Sequence, residues 1–121
     1  MTDTGSLGDI MKKMKIDGYD FEGPYVAGKG EVPAIDGIAL IVSEAGEGAK
    51  ILAVAYGDNL LDIIDKSPDL PEWTEHAYHG IVDIYVIAME SPKRESVAES
   101  IINKRKSTLT CQKIKEIVDD W

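Results

Sequence analysis

The sequence predicts an α+β fold: a small, three-stranded, mostly antiparallel sheet flanked by helices. Two apolar runs, residues 37–43 (GIALIVS) and 50–55, are joined by the short Gly-containing turn 44–48 and read as a hairpin. A third run, residues 81–89, alternates so that Val82, Ile84, Val86 and Ala88 share one face, as on a strand. The segments between and after these runs carry apolar residues at helical spacing, which places helices against the sheet.

In chain order, Ser6 is a candidate cap for a short helix over residues 7–15, with Leu7, Ile10, Met11 and Met14 on one side and Gly18 just beyond its end. Residues 18–36 contain Gly23, Pro24, Gly28, Gly30 and Pro33 and read as an irregular arm with a short extended piece near Tyr25 and Val26. After the hairpin, Asp58 or Asn59 caps a helix whose buried side is Leu60, Leu61, Ile63 and Ile64, and Ser67-Pro68 stops it. Residues 69–80 form a loop or helical turn around Trp73. Ser91-Pro92 starts a helix that buries Val97, Ala98, Ile101 and Ile102. Ile114, Ile117, Val118 and Trp121 give a last helical stretch over 110–121. The whole reads as one domain, 1–121, with an N-terminal helix within 1–17, an arm over 18–36, a core over 37–110 and a C-terminal helix over 110–121.

Composition narrows the functional classes. With 121 residues, 44% hydrophobic and 29% charged, the chain is long enough to bury its own core without disulfides. Its longest apolar runs, 51–56 and 84–89, are far short of the ~20 residues a membrane span needs, so no membrane partner is expected. Asp3 and Asp9 stand where a signal peptide would carry basic and then apolar residues. A single cysteine, Cys111, excludes an internal disulfide and fits a reducing cytoplasm. The net charge is −9, with 17 acidic and 6 basic side chains in residues 1–92 and 5 acidic and 7 basic in residues 93–121. Phosphate backbones are bound through Lys and Arg, so only the C-terminal quarter could approach nucleic acid.

The hairpin and the helix after it carry further wording. The first strand reads Gly37-Ile38-Ala39, the second Ala53-Val54-Ala55-Tyr56-Gly57, and Asp58-Asn59-Leu60 starts the helix. A third strand and the helix RESVAESIINKRK follow. This order, over about residues 33–110, resembles the GIY-YIG nuclease domain. In that family a Gly-Ile-Tyr strand, a Tyr-Ile-Gly strand, an Asn/Asp-Leu turn into an Arg-bearing helix, a further strand and a helix with a metal-binding Glu come in succession. Laid on that pattern, the tyrosine positions fall on Ala39 and Ala53, the arginine on Ile63 and the glutamate on Ala98, with Glu99 one residue out of phase. Ser107, Thr108 and Thr110 stand where a Pro and an Asn usually follow.

These departures bear on chemistry. Phosphodiester hydrolysis needs an activated nucleophile, a carboxylate holding a divalent metal and a cation for the charge that builds on phosphate. Alanine and isoleucine supply none of these. The resemblance therefore implies a nuclease-like shell that is catalytically degenerate.

Other constellations each have a plainer reading beside the functional one. Glu72, Glu75, His76 and His79 include a His-x-x-His pair that could ligate zinc. No cysteine or third histidine is near in sequence, and a polar surface loop is the expectation. Tyr56-Gly57-Asp58-Asn59 could receive an anion at a helix start, but Asp58 would repel it, and a capped turn is expected. The paired glycines Gly28/Gly30 and Gly46/Gly48 lack the context of a dinucleotide loop and read as turns. Lys104, Arg105, Lys106, Lys113 and Lys115 form the one basic concentration, either an interaction surface or a solvated helix end. Cys111 lies beside those cations, which would activate an exposed thiol as a nucleophile, but a small apolar filler is the expectation. Trp121 either docks on the core, the expectation, or anchors a partner.

The leading expectation is a non-catalytic binding or structural module, with no cofactor and no bound metal, whose partner is a protein or small ligand. The alternatives are a divergent metal-dependent hydrolase built on Tyr56, Asp58, His76 and Glu99, or a nucleic-acid-binding accessory subunit using the basic strip. A convergence of those four side chains would favour the enzyme. A dry face lined by Ala39, Ala53, Ile63 and Ala98 would favour the module.

Overall fold

The computed structural model describes residues 12–45 and 48–111. Among these, five strands form one antiparallel sheet in the order β1-β2-β5-β3-β4. The strands are β1 (Lys12–Ile16), β2 (Tyr19–Val26), β3 (Gly37–Ala45), β4 (Gly48–Gly57) and β5 (Asp83–Ala88). The helices are α1 (Leu60–Asp65), α2 (Leu70–His76) and α3 (Lys93–Lys104), and a 3-10 turn spans Tyr78–Gly80. The α+β class holds, but the expected three-stranded sheet is corrected to five strands.

Both added strands come from segments that read otherwise in sequence. Residues 12–16, expected inside a helix, are β1, where Met14 and Ile16 pack inward at strand spacing. Asp17 and Gly18 both take positive φ (54° and 87°) and form a two-residue hairpin loop with Ile16 opposite Tyr19. The expected arm contains β2, whose register shifts between Glu22 and Tyr25 around Gly23-Pro24. A proline within a paired strand is tolerated at such an irregularity, because its missing N–H falls out of the ladder there. Gly23 is required on separate grounds: a Cβ there would sit 2.5 Å from the Ile84 carbonyl oxygen.

The central strand explains the layering. In β3 every residue from Gly37 to Val42 is buried, so both faces of the sheet are covered. Ala39 and Ile41 face one core with Leu60, Ile64, Trp73, Val82, Ile84 and Val86, under α1 and α2. Ile38, Leu40 and Val42 face a second core with Phe21, Tyr85, Ala98 and Ile101, under α3. The period-2 alternation of β3 and β5 thus feeds two helical layers.

A bulge in the β3–β4 hairpin breaks this alternation once. Ile41 pairs with Ala53 but Val42 pairs with Ile51, so Leu52 is the extra residue and joins Ala53 in the first core. The Leu52 carbonyl accepts the N–H of Cys111 at 2.8 Å. That bond seats the end of the described chain against edge strand β4. Of the helix expected over 110–121, residues 110 and 111 form a bend and not a helix, while 112–121 with Trp121 lie outside the described residues, as do Ser6, Leu7, Ile10 and Met11.

The other elements follow their local signals. Asn59 caps α1 by accepting the Asp62 N–H (3.2 Å), and the chain leaves the helix at Ser67-Pro68. Of the loop or helical turn expected around Trp73, the helical alternative holds: α2 buries that indole. In α3, Ala98 and Ile101 are fully buried, with Val97 and Ile102 packed at the edge of the same core.

Candidate functional site

The strand register sets the first polar cluster. Gly37 of β3 pairs with Gly57 of β4, so Asp36 and Asp58, the next residues outward, face each other across the hairpin mouth. Two carboxylates so placed repel, and α3 supplies the remedy in its first turn. The Arg94 guanidinium, only 7% exposed, contacts Asp36 and Asp58 through one Nη atom, the latter at 2.9 Å. Its other Nη reaches Glu95 at 2.6 Å. Hydrogen bonding to Arg94 holds the Glu95 carboxyl below its ordinary pKa. The bonds to Glu95, Asp58 and Asp36 in turn stabilise the guanidinium cation.

Beside this knot, the Tyr56 hydroxyl donates to Glu99 Oε2 at 3.4 Å. Burial, then the Glu99 charge, raises the phenol above its ordinary pKa. Tyr56 is therefore a neutral donor at neutral pH and no ready base. Of the four sequence-derived pocket residues, Asp58 contacts Arg94 and Tyr56 contacts Glu99, while His76 is part of neither contact.

The four positions on which the resemblance lays reactive groups do not converge. Ala39 and Ala53 lie in the core under α1 and α2, with Ile63 packed on it. Ala98 lies in the other core, across the sheet. All are packing positions, yet they do not share the single dry face expected for them.

His76 belongs to a different group. On α2, Glu72 and His76 are four residues apart and so share a helix face. Cys111, held by its bond to Leu52, completes a trio in which one ligand atom from each residue lies within 4.8 Å of the others. His79 lies outside that group, its ring tilted 57° against that of Tyr78 with centroids 4.1 Å apart. The sequence signal for the trio was weak because Cys111 is remote along the chain from Glu72 and His76. A cavity of about 240 Å³ adjoins Cys111 and Trp73, lined also by Ala53, Ala55, Ile63 and Asp69.

The basic strip is partly spent internally. Arg105 bonds Asp17 at 2.9 Å and Lys104 reaches it at 3.5 Å, tying the end of α3 to the β1–β2 turn. These bonds, Arg105's first, outweigh burial and lower the Asp17 pKa. Lys106 is exposed, and Lys113 and Lys115 lie outside the described residues.

Two groups carry no clear signal in the sequence. The Asp65 carboxylate accepts the N–H groups of Gly28 (2.7 Å) and Gly30 (2.8 Å), so that glycine pair is a cradle for the chain's own anion. On the sheet, Tyr85 donates to Glu44 at 2.7 Å and Lys12 pairs with the same oxygen at 3.2 Å. Burial, then the bond and charge of Glu44, push the Asp83 carboxyl up to about 6. Burial also raises Glu44, but its bonds from Tyr85, Asp83 and Lys12 outweigh that and leave it below its ordinary value.

Among the described residues no helix is long and apolar enough to cross a membrane. No family model, curated protein or solved structure matches the chain.

Proposed function

We propose that this chain is a non-catalytic binding or structural module. What supports this reading is that Ala39, Ala53, Ile63 and Ala98 are all packing positions, although they are divided between two apolar cores and do not form the one dry face expected. Groups divided in this way cannot act together on one phosphate, whatever their identity. A protein or a small ligand is the partner this reading expects, and the reducing cytoplasm is its expected setting.

The Tyr56–Glu99 contact favours one second reading, a divergent hydrolase centred on Arg94. Its weakness is electrostatic. Arg94 already faces Asp36, Asp58 and Glu95, so a phosphate would have to displace carboxylates and enter a negative surround.

Plasmid nicking with Mg²⁺ or Mn²⁺ tests both readings. The module leaves supercoiled DNA intact at every metal concentration. Metal-dependent cleavage that disappears in both Tyr56→Phe and Glu99→Gln would overturn it in favour of the second reading.

A further inference from the structure

The trio on α2 and at the β4 edge is independent of the nuclease-like positions. It combines an imidazole, a thiol and a carboxyl from Glu72, His76 and Cys111, with ligand atoms within 4.8 Å of one another. Thiolate and imidazole together select borderline-soft divalent cations over Mg²⁺ or Ca²⁺, and this donor set is within zinc's range. A tetrahedral ion with bonds of about 2.0–2.3 Å keeps its ligand atoms under about 4 Å apart, so closing the trio needs shifts on the order of 1 Å.

Two features of the surroundings point the same way. Glu72 and His76 sit one helical turn apart on a formed helix, and Cys111 is fixed through its backbone to Leu52, so the donors are held before any ion arrives. The Trp73 indole, on the same helix and lining the same cavity as Cys111, is 4% exposed, and its N–H has no acceptor among the described residues. A buried donor of this kind would be satisfied by an oxygen ligand on an ion beside it.

We propose that Glu72, His76 and Cys111 bind one zinc-class cation, with an oxygen ligand from solvent at the remaining position. The thiol loses its proton on binding, so the ion joins a thiolate, a neutral imidazole and a carboxylate and one proton is released to solvent. Such an ion ties α2 to the segment that follows α3, and so adds a cross-link between two parts of the chain far apart in sequence. An exposed His76 gives the ion a path from solvent, whereas Cys111 is buried.

The test uses the full chain, stripped of metal with a chelator. Calorimetric titration with Zn²⁺ is expected to show one ion per chain, and Co²⁺ to give a thiolate-to-cobalt charge-transfer band. Removing a direct ligand should weaken binding more than the about 10- to 100-fold typical of losing an outer partner. His76→Ala and Cys111→Ser are therefore expected to abolish the cobalt band, and Glu72→Gln to weaken Zn²⁺ binding without removing that band. His79→Ala should change nothing. Because Cys111 is buried and its replacement can disturb folding, the exposed His76 is the deciding position. Absence of the band, or Zn²⁺ affinity unchanged in His76→Ala, would overturn the site and identify any residual uptake as diffuse binding to an acidic surface.

Discussion

Asp65 ends α1, where the helix macrodipole disfavours an anion, and two glycine N–H groups compensate. Gly28 and Gly30 have φ of +82° and +73°, a conformation glycine adopts without strain, which turns both N–H groups toward one carboxylate. Asp65→Ala is expected to cost about 2 kcal/mol, the scale of hydrogen bonds to a charged group, measured by urea unfolding. Asp83 provides a pH test. Its folded-state pKa, about 6, lies above the ordinary 3.8, so the folded state holds an extra proton between those values. Stability from this group is therefore full below about pH 4 and declines as pH rises to about 6. Asp83→Asn should raise the melting temperature at pH 8 and leave it nearly unchanged at pH 4; an equal shift at both would exclude proton sharing with Glu44. Little of this was legible in the sequence. Asp65 is remote from its glycines along the chain, and Asp83 meets Glu44 only through strand pairing.

At the scale of elements, the β1–β2 hairpin is held by its turn and by charge. Lys13–Glu22 (3.9 Å) and Lys15–Asp20 (3.7 Å) are exposed cross-strand pairs worth little each. Asp17, paired with Arg105 and Lys104, and Gly18 at φ +87° carry more of the turn's specificity. Gly18→Val should destabilise by about 1 kcal/mol or more through backbone strain alone, since a Cβ there meets nothing within 4 Å. Asp17→Asn, which tolerates the same positive φ, should lose stability at pH 7, and that loss should shrink as pH falls through the depressed pKa of the carboxyl. The hairpin was hidden because Leu7, Ile10, Met11 and Met14 suggest a helix, although Asp17-Gly18 is itself a strong hairpin signal. β2 was hidden by Gly23-Pro24, residues that sit at an irregularity in the ladder. By contrast β3, β4, β5, α1 and α3 were legible, because each has an uninterrupted apolar pattern and a clean start or stop.

For the whole molecule, one sheet divides two apolar layers, and Arg94 bridges the hairpin mouth to α3. The layers assign Ala39 and Ala53 to one side and Ala98 to the other, a division no strand or helix reveals alone. The resemblance singled out these four positions from the sequence; only the sheet's two faces showed that they do not meet. The most direct measurement is urea unfolding of Ala98→Glu, paired with the nicking assay on the same sample. A carboxylate placed at that fully buried position should destabilise the fold by several kcal/mol, with no gain of DNA cleavage. A variant that keeps its stability, binds Mg²⁺ and nicks plasmid would instead make Ala98 part of a latent catalytic surface, contradicting the division between the two cores.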